Sequence, residues 1–224
     1  MKFEKYEIEV GNTGHITNSY ILYNNNDIAI IDPADKFEFF KEKIEKENLN
    51  LKYVFLTHAH ADHILAIYKI LEEYDVKVIA NKNEKDMLDK KIDNCASVFG
   101  LEQKAFKLES FILLDDGEYI DFDGIKIKCI NTPGHTKGSC CYLIEKNNIL
   151  FTGDTIFENS FGRTDLASGS SRDIINSIVK LFKNYSDCII YPGHGNSNIK
   201  LKNIYERINR CVNVFFNINL DNLV

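Results

Sequence analysis

The chain has 224 residues and a mass of 25.8 kDa, room for one large domain or two small ones and enough to bury a core without disulfides. Hydrophobic residues make up 44% and charged residues 27%, a globular balance that excludes a disordered or fibrous chain. The 27 basic and 33 acidic residues give a net charge of -6 with no Lys/Arg block, so no nucleic-acid or membrane partner is expected.

The predicted elements open with a strand meander over 3–10, 18–23 and 27–32, with a polar turn at Asn24, Asn25 and Asn26. Phe37, Phe40 and Ile44 recur at helical spacing and predict a helix over 36–47. The apolar run 51–56 reads as a buried strand that leads directly into THAHADH. Ile64, Ile67, Tyr68 and Leu71 then mark a helix. A strand over 76–80 and a short helix over 84–91 complete the first half. Turn signals at Asp115-Asp116-Gly117 and Asp123-Gly124 flank hairpin strands over 118–122 and 125–130. Strands over 140–145 and 149–152 follow. Ser170 or Ser171 is a plausible N-cap for a helix carrying Ile174, Ile178 and Leu181. A strand over 188–191 and a helix carrying Ile204, Ile208 and Cys211 end the chain. Two halves of strands then helices predict an α+β chain of one domain, residues 1–224. Its expected architecture is a four-layer αββα sandwich, two mixed sheets face to face with helices outside.

No apolar run approaches a bilayer span and MKFEKYEIEV reads as a strand, so a soluble, cytoplasmic protein is expected. The six cysteines, Cys95, Cys129, Cys140, Cys141, Cys188 and Cys211, are expected as reduced thiols. They form no CxxC pair, which argues against a thiolate zinc knuckle. Adjacent Cys140 and Cys141 fit strand packing.

Five of the six histidines fall in three short segments at predicted strand ends: His58, His60 and His63, then His135 in TPGHTKG, then His194 in YPGHG. Asp62 and Asp154 sit among them. His58 and His60, two apart in extended chain, point to one side and can share a metal. Asp62 and His63 turn toward a neighbouring position as a helix begins. His135 can close the first triad and His194 the second, and Asp154 has two oxygens with which to bridge. Imidazole and carboxylate donors suit Zn(II), and also Fe(II) or Mn(II). His15, alone in GNTGHITN, could border the site but is expected to be a turn residue of little consequence.

HAHADH, His135, Asp154 and His194, in this order and over nearly the whole chain, resemble the metallo-β-lactamase fold superfamily of metallohydrolases. The resemblance implies one metal on His58, His60 and His135, a second on Asp62, His63 and His194, and Asp154 bridging. It also supports the αββα sandwich. One departure is Ala66, which stands where the family motif often carries Gly. His60 argues against the flavodiiron-type branch. GRTD, Gly162-Arg163-Thr164-Asp165, and TPGHTKGS resemble the glyoxalase II-like group and the related persulfide dioxygenases. With about thirty residues after His194, too few for a helical glutathione-holding domain, the chain looks like the short, single-domain type.

The resemblance implies a small-molecule thioester substrate such as hydroxyacylglutathione and two divalent ions, zinc foremost. The ions would lower the pKa of water to about 7 and supply hydroxide to the thioester carbonyl, with Asp62 as the catalytic carboxylate that orients the nucleophile or accepts its proton. Lys137, Tyr142 and Arg163 are candidate substrate contacts, although Arg163 could instead pair with Asp165. The alternative reading is a persulfide dioxygenase with one Fe(II) on His58, His135 and Asp154. A non-catalytic binding module is the weakest of the three. The C-terminal helix, with Val212, Val214, Phe215 and Phe216, could cover the core or a partner subunit.

Overall fold

Runs rich in Ile, Val, Phe and Tyr alternate with helix-period segments along the chain. The computed structural model describes residues 2–224, and among them these runs form twelve strands and six α-helices. They divide into two compact units, one ending at Leu114 and the other spanning Asp115–Val224.

In the first unit β1 (Lys2–Val10), β2 (His15–Asn24), β3 (Asp27–Ile31), β4 (Asn50–Phe55), β5 (Lys77–Asn81) and β6 (Phe111–Leu114) lie side by side in chain order. The β1–β2–β3 meander is antiparallel and the pairings from β3 to β6 are parallel. Parallel neighbours need crossovers, which α1 (Phe37–Glu47), α2 (Ala61–Ile64), α3 (Ile67–Glu73) and α4 (Lys85–Leu88) help to build. Phe37, Phe40 and Ile44 of α1 and Ile67 and Ile70 of α3 pack with Ile28, Ile30, Val54 and Val78 on one face of the sheet. Each such side chain, fully buried, contributes about 1.5–3 kcal/mol. Leu22, Ala29, Ile31 and Phe55, of the opposite parity, are buried too, as strands with near-continuous apolar runs require.

In the second unit β7 (Tyr119–Phe122), β8 (Ile125–Asn131), β9 (Cys140–Ile144), β10 (Ile149–Gly153), β11 (Ile189–Pro192) and β12 (Ile199–Lys200) form a sheet in the order β12-β11-β10-β9-β8-β7. Only β10 and β11 pair in parallel, and α5 (Ser171–Tyr185) connects them. Ser170 caps α5, its hydroxyl accepting from the Asp173 amide. Ile174, Ile178 and Leu181 of α5 and Ile208 and Val212 of α6 (Tyr205–Phe216) pack with Cys141, Leu143, Leu150 and Ile190. The last helix therefore covers its own core with one face, while Val214 and Phe215 stay exposed.

Three local expectations are corrected. The helix after THAHADH is broken into α2 and α3 because the Ala66 amide donates to the Ala34 carbonyl (2.8 Å) rather than continuing the turn. The 84–91 helix is a 3₁₀ turn, Lys82–Glu84, followed by the single turn of α4. β6 and β12 were not anticipated, being four and two residues long. All six cysteines are free thiols, and Cys129, Cys140, Cys141 and Cys188 are buried. Among the described residues no helix is long and apolar enough to cross a membrane.

Candidate functional site

The expected donors fall four in the first unit and three in the second. Each set sits where strands hand over to loops, the place where a rigid sheet presents chemistry.

In the first unit β4 ends at Phe55, the chain bends at Thr57, and His60 is extended just before α2 begins. His58, His60, Asp62 and His63 are all buried, His63 wholly so. The His58 ring lies 4.8 Å from that of His60 and 4.1 Å from that of His63, centroid to centroid. The turn is held from both sides: the His63 amide donates to the His60 carbonyl (3.0 Å) and the Ala61 amide to the Asn94 carbonyl (2.8 Å).

Asp32, which the sequence presented as no more than a strand end, anchors this cluster. It is 2% exposed and takes a left-handed backbone (φ 48°) immediately after β3. Its Oδ1 accepts the Thr57 amide (2.8 Å) and its Oδ2 accepts the Thr57 hydroxyl (2.6 Å). Thr57 Oγ1 lies 3.2 Å from His58 Nδ1, and Asp32 Oδ2 lies 3.0 Å from His63 Nδ1. One buried carboxylate thus faces the Nδ1 side of two imidazoles, directly or through Thr57, which favours the tautomer presenting Nε2 as the donor to a metal.

Asp62 has its own retainers. Oδ2 accepts from His15 Nε2 (2.9 Å) and from the Thr17 hydroxyl (3.3 Å), and it lies 3.5 Å from His63 Nε2. His15 is therefore more than a turn residue: it opens β2 and reaches Asp62 across 47 positions, with Phe99 edge-on against its ring.

In the second unit His135 follows β8, Asp154 follows β10 and His194 follows β11. His135 Nδ1 donates to the Arg163 carbonyl (2.8 Å), which fixes Nε2 as an acceptor. That nitrogen lies 3.5 Å from Asp154 Oδ2, and His194 Nε2 lies 3.3 Å from the same oxygen. Electron-pair donors converging on one carboxylate oxygen in a buried place suit a cation. The Gly193 amide donates to the Gly153 carbonyl (2.9 Å) and so ties the Asp154 and His194 loops together.

Two glycines make this packing possible. A Cβ on Gly162 would stand 2.0 Å from the Asp154 carbonyl oxygen and 2.9 Å from the His135 ring. A Cβ on Gly134 (φ 138°) would stand 2.2 Å from the Ile174 amide nitrogen, because the first turn of α5 buttresses the His135 loop.

The candidate substrate contacts fare differently. Tyr142 is wholly buried in β9, which withdraws it from any substrate surface. Arg163 forms a two-point pair with Asp165 (both 2.7 Å), and that guanidinium holds the Asp165 carboxyl down at about 2. Lys137 is exposed, its amide donating to the Ser168 hydroxyl (3.2 Å). Burial pushes the Cys141 thiol up to about 12 and raises Cys140 as well, so neither is a nucleophile at neutral pH.

The model of the Metallo-beta-lactamase superfamily matches residues 12–194, across both units, and this chain belongs to that superfamily of metal-dependent hydrolases. It is 33% identical over 178 residues to the hydroxyacylglutathione hydrolase GloC of Haemophilus influenzae, covering 79% of this chain and 84% of the relative. Among solved structures it is similar to the B3 metallo-beta-lactamase BLEG-1 (TM-score 0.76, 29% identity, 87% of this chain and 92% of the other). A further similar structure is TTHA1623 in a di-iron-bound form (TM-score 0.75, 24% identity, 88% and 96%). The fold is accordingly the metallo-β-lactamase fold.

Proposed function

We propose that this chain acts as a single metallo-β-lactamase-like domain that hydrolyses acyl thioesters, with hydroxyacylglutathione as the reference substrate. The observation that carries the reading is the pair of donor sets, five imidazoles and two carboxylates at strand ends, with His58, Asp62, His63 and His135 oriented by hydrogen-bonding partners. The name of the Haemophilus relative supplies the substrate class.

The nitrogen and oxygen donors fit divalent zinc, iron or manganese. In this proposal His58, His60, Asp62 and His63 of the first unit and His135, Asp154 and His194 of the second would be the metal ligands. Such ions, when bound, make water nucleophilic at neutral pH and polarise a carbonyl. The remaining work belongs to the chain. Asp62, held at Oδ2 by His15 and Thr17, orients the attacking water and accepts its proton. The C–S bond of the thioester breaks as the new C–O bond forms, giving a carboxylate and a thiolate. The thiolate is a good enough leaving group to depart without an acid.

The test combines elemental analysis of anaerobically purified protein with thiol release from hydroxyacylglutathione. About two divalent ions per chain with thioester cleavage are expected. His58→Ala and Asp154→Ala should each lose metal and activity together. One iron per chain with oxygen uptake on a persulfide and no thioester cleavage would make the protein a dioxygenase instead.

A further inference from the structure

Beside His194 lies a cavity of about 330 Å³ lined by Phe157, Glu158, Asn159, Ser160, His194, Gly195 and Asn196. That is the size of a small-ligand site, and more space than a short hydroxyacyl group fills. Its walls are fixed from within the second unit. The Phe157 amide donates to the Ser160 carbonyl (2.8 Å), and Phe161 stacks on Phe216 of α6. Arg207 of α6 donates to Glu158 Oε1 (2.9 Å), Asn196 Nδ2 donates to Glu158 Oε2 (2.7 Å), and Cys211 Sγ lies 3.1 Å from the Asn159 carbonyl oxygen.

Glu158 is the one acidic group of the lining, and no Lys or Arg is among those residues. Asn196 and then Arg207 hold its carboxyl below the usual range, so it stays ionised at neutral pH. A carboxylate has about four acceptor positions, and the two hydrogen bonds occupy one on each oxygen. Acceptor capacity therefore remains on both oxygens of this lining residue, and an incoming carboxylate would meet like charge there.

Resting on the thioesterase reading, we propose that this cavity receives the thiol arm of the substrate and that Glu158 determines its specificity. It favours arms bearing an ammonium or amide N–H over arms bearing a carboxylate. Phe157 offers the apolar wall against which the arm's methylenes lie.

The test uses one acyl group on three thiols, cysteamine, N-acetylcysteamine and 3-mercaptopropionate, as thioesters for kcat/KM and as uncleavable thioethers for calorimetric Kd. The wild-type holoenzyme should rank ammonium above amide above carboxylate, with about a fivefold step between the charged extremes, the upper range for a partly exposed ion pair. Glu158→Gln should flatten that step in both measurements. Arg207→Met, which removes the competing cation, should steepen it. If no thioester is cleaved yet the thioethers keep this ranking and Glu158→Gln flattens it, hydrolysis fails and the cavity assignment stands. Equal thioether affinities, or a ranking unmoved by Glu158→Gln in folded protein, overturn the assignment.

Discussion

At the scale of single residues, the arrangement around THAHADH separates groups that would hold metal from groups that aim them. Asp32 belongs to the second kind. Its carboxylate receives two hydrogen bonds from Thr57 and faces His63 Nδ1, so its removal disturbs His58 and His63 together. Asp32→Asn, which puts an amide NH₂ where an acceptor is needed, should lower metal affinity about 10–100-fold, read by competition with a chromophoric chelator. His15 aims Asp62. His15→Ala should reduce kcat about five- to tenfold, the worth of roughly 1 kcal/mol for one hydrogen bond, with metal content unchanged. His15→Gln, whose amide can donate in the same direction, should recover part of that loss. Activity untouched in His15→Ala would show that Thr17 holds Asp62 alone.

At the scale of elements, the loops that carry donors are braced by helices packed behind them. The first turn of α5 lies against Gly134, and the Ser177 hydroxyl of that helix donates to the Pro133 carbonyl (2.7 Å). Gly162 brings the following loop against Asp154 and His135 with no space for a methyl group. Gly162→Ala should therefore cost about 1–3 kcal/mol by overpacking and weaken metal binding as well. A lowered Tm without change in metal affinity would mean that the loop yields away from the donors. Most of these elements were legible in advance, because apolar periodicity is strong in α1, α5 and α6 and the turn dipeptides bracket β7 and β8. The placing of the seven candidate donors at strand ends was legible from their types and spacing. Asp32 and His15 were not, since each matters through a contact 25 or more positions away that no local pattern announces. β12 was too short to show a period, and the break between α2 and α3 depends on a backbone bond to Ala34.

At the scale of the molecule, two sheets with separate apolar clusters share one family signature. The interior also sets a limit at alkaline pH. The Cys141 thiol, ordinarily near 9, is pushed to about 12 by burial, so the folded state keeps a proton that the unfolded chain gives up. A raised pKa contributes stability below the unfolded value and loses it as pH climbs through the folded one. Urea midpoints should accordingly fall between pH 9 and 12, and Cys141→Ala should lessen the fall. An unchanged slope in that variant would assign the loss to Cys140 and the part-buried tyrosines instead.

The outer strands of the two sheets bear on how the protein behaves at high concentration. β1 is an edge with Lys2, Glu4, Lys5, Glu7 and Glu9 along its nine residues, and β12 at the edge of the other sheet is two residues long and ends in Lys200. A strand from another copy would have to bury alternating charges on the first and would find almost no ladder on the second. These two borders disfavour strand-to-strand polymerisation through β1 or β12, so slow precipitation on storage should trace to apolar surface such as the tip at Val214 and Phe215 rather than to growth at those two edges.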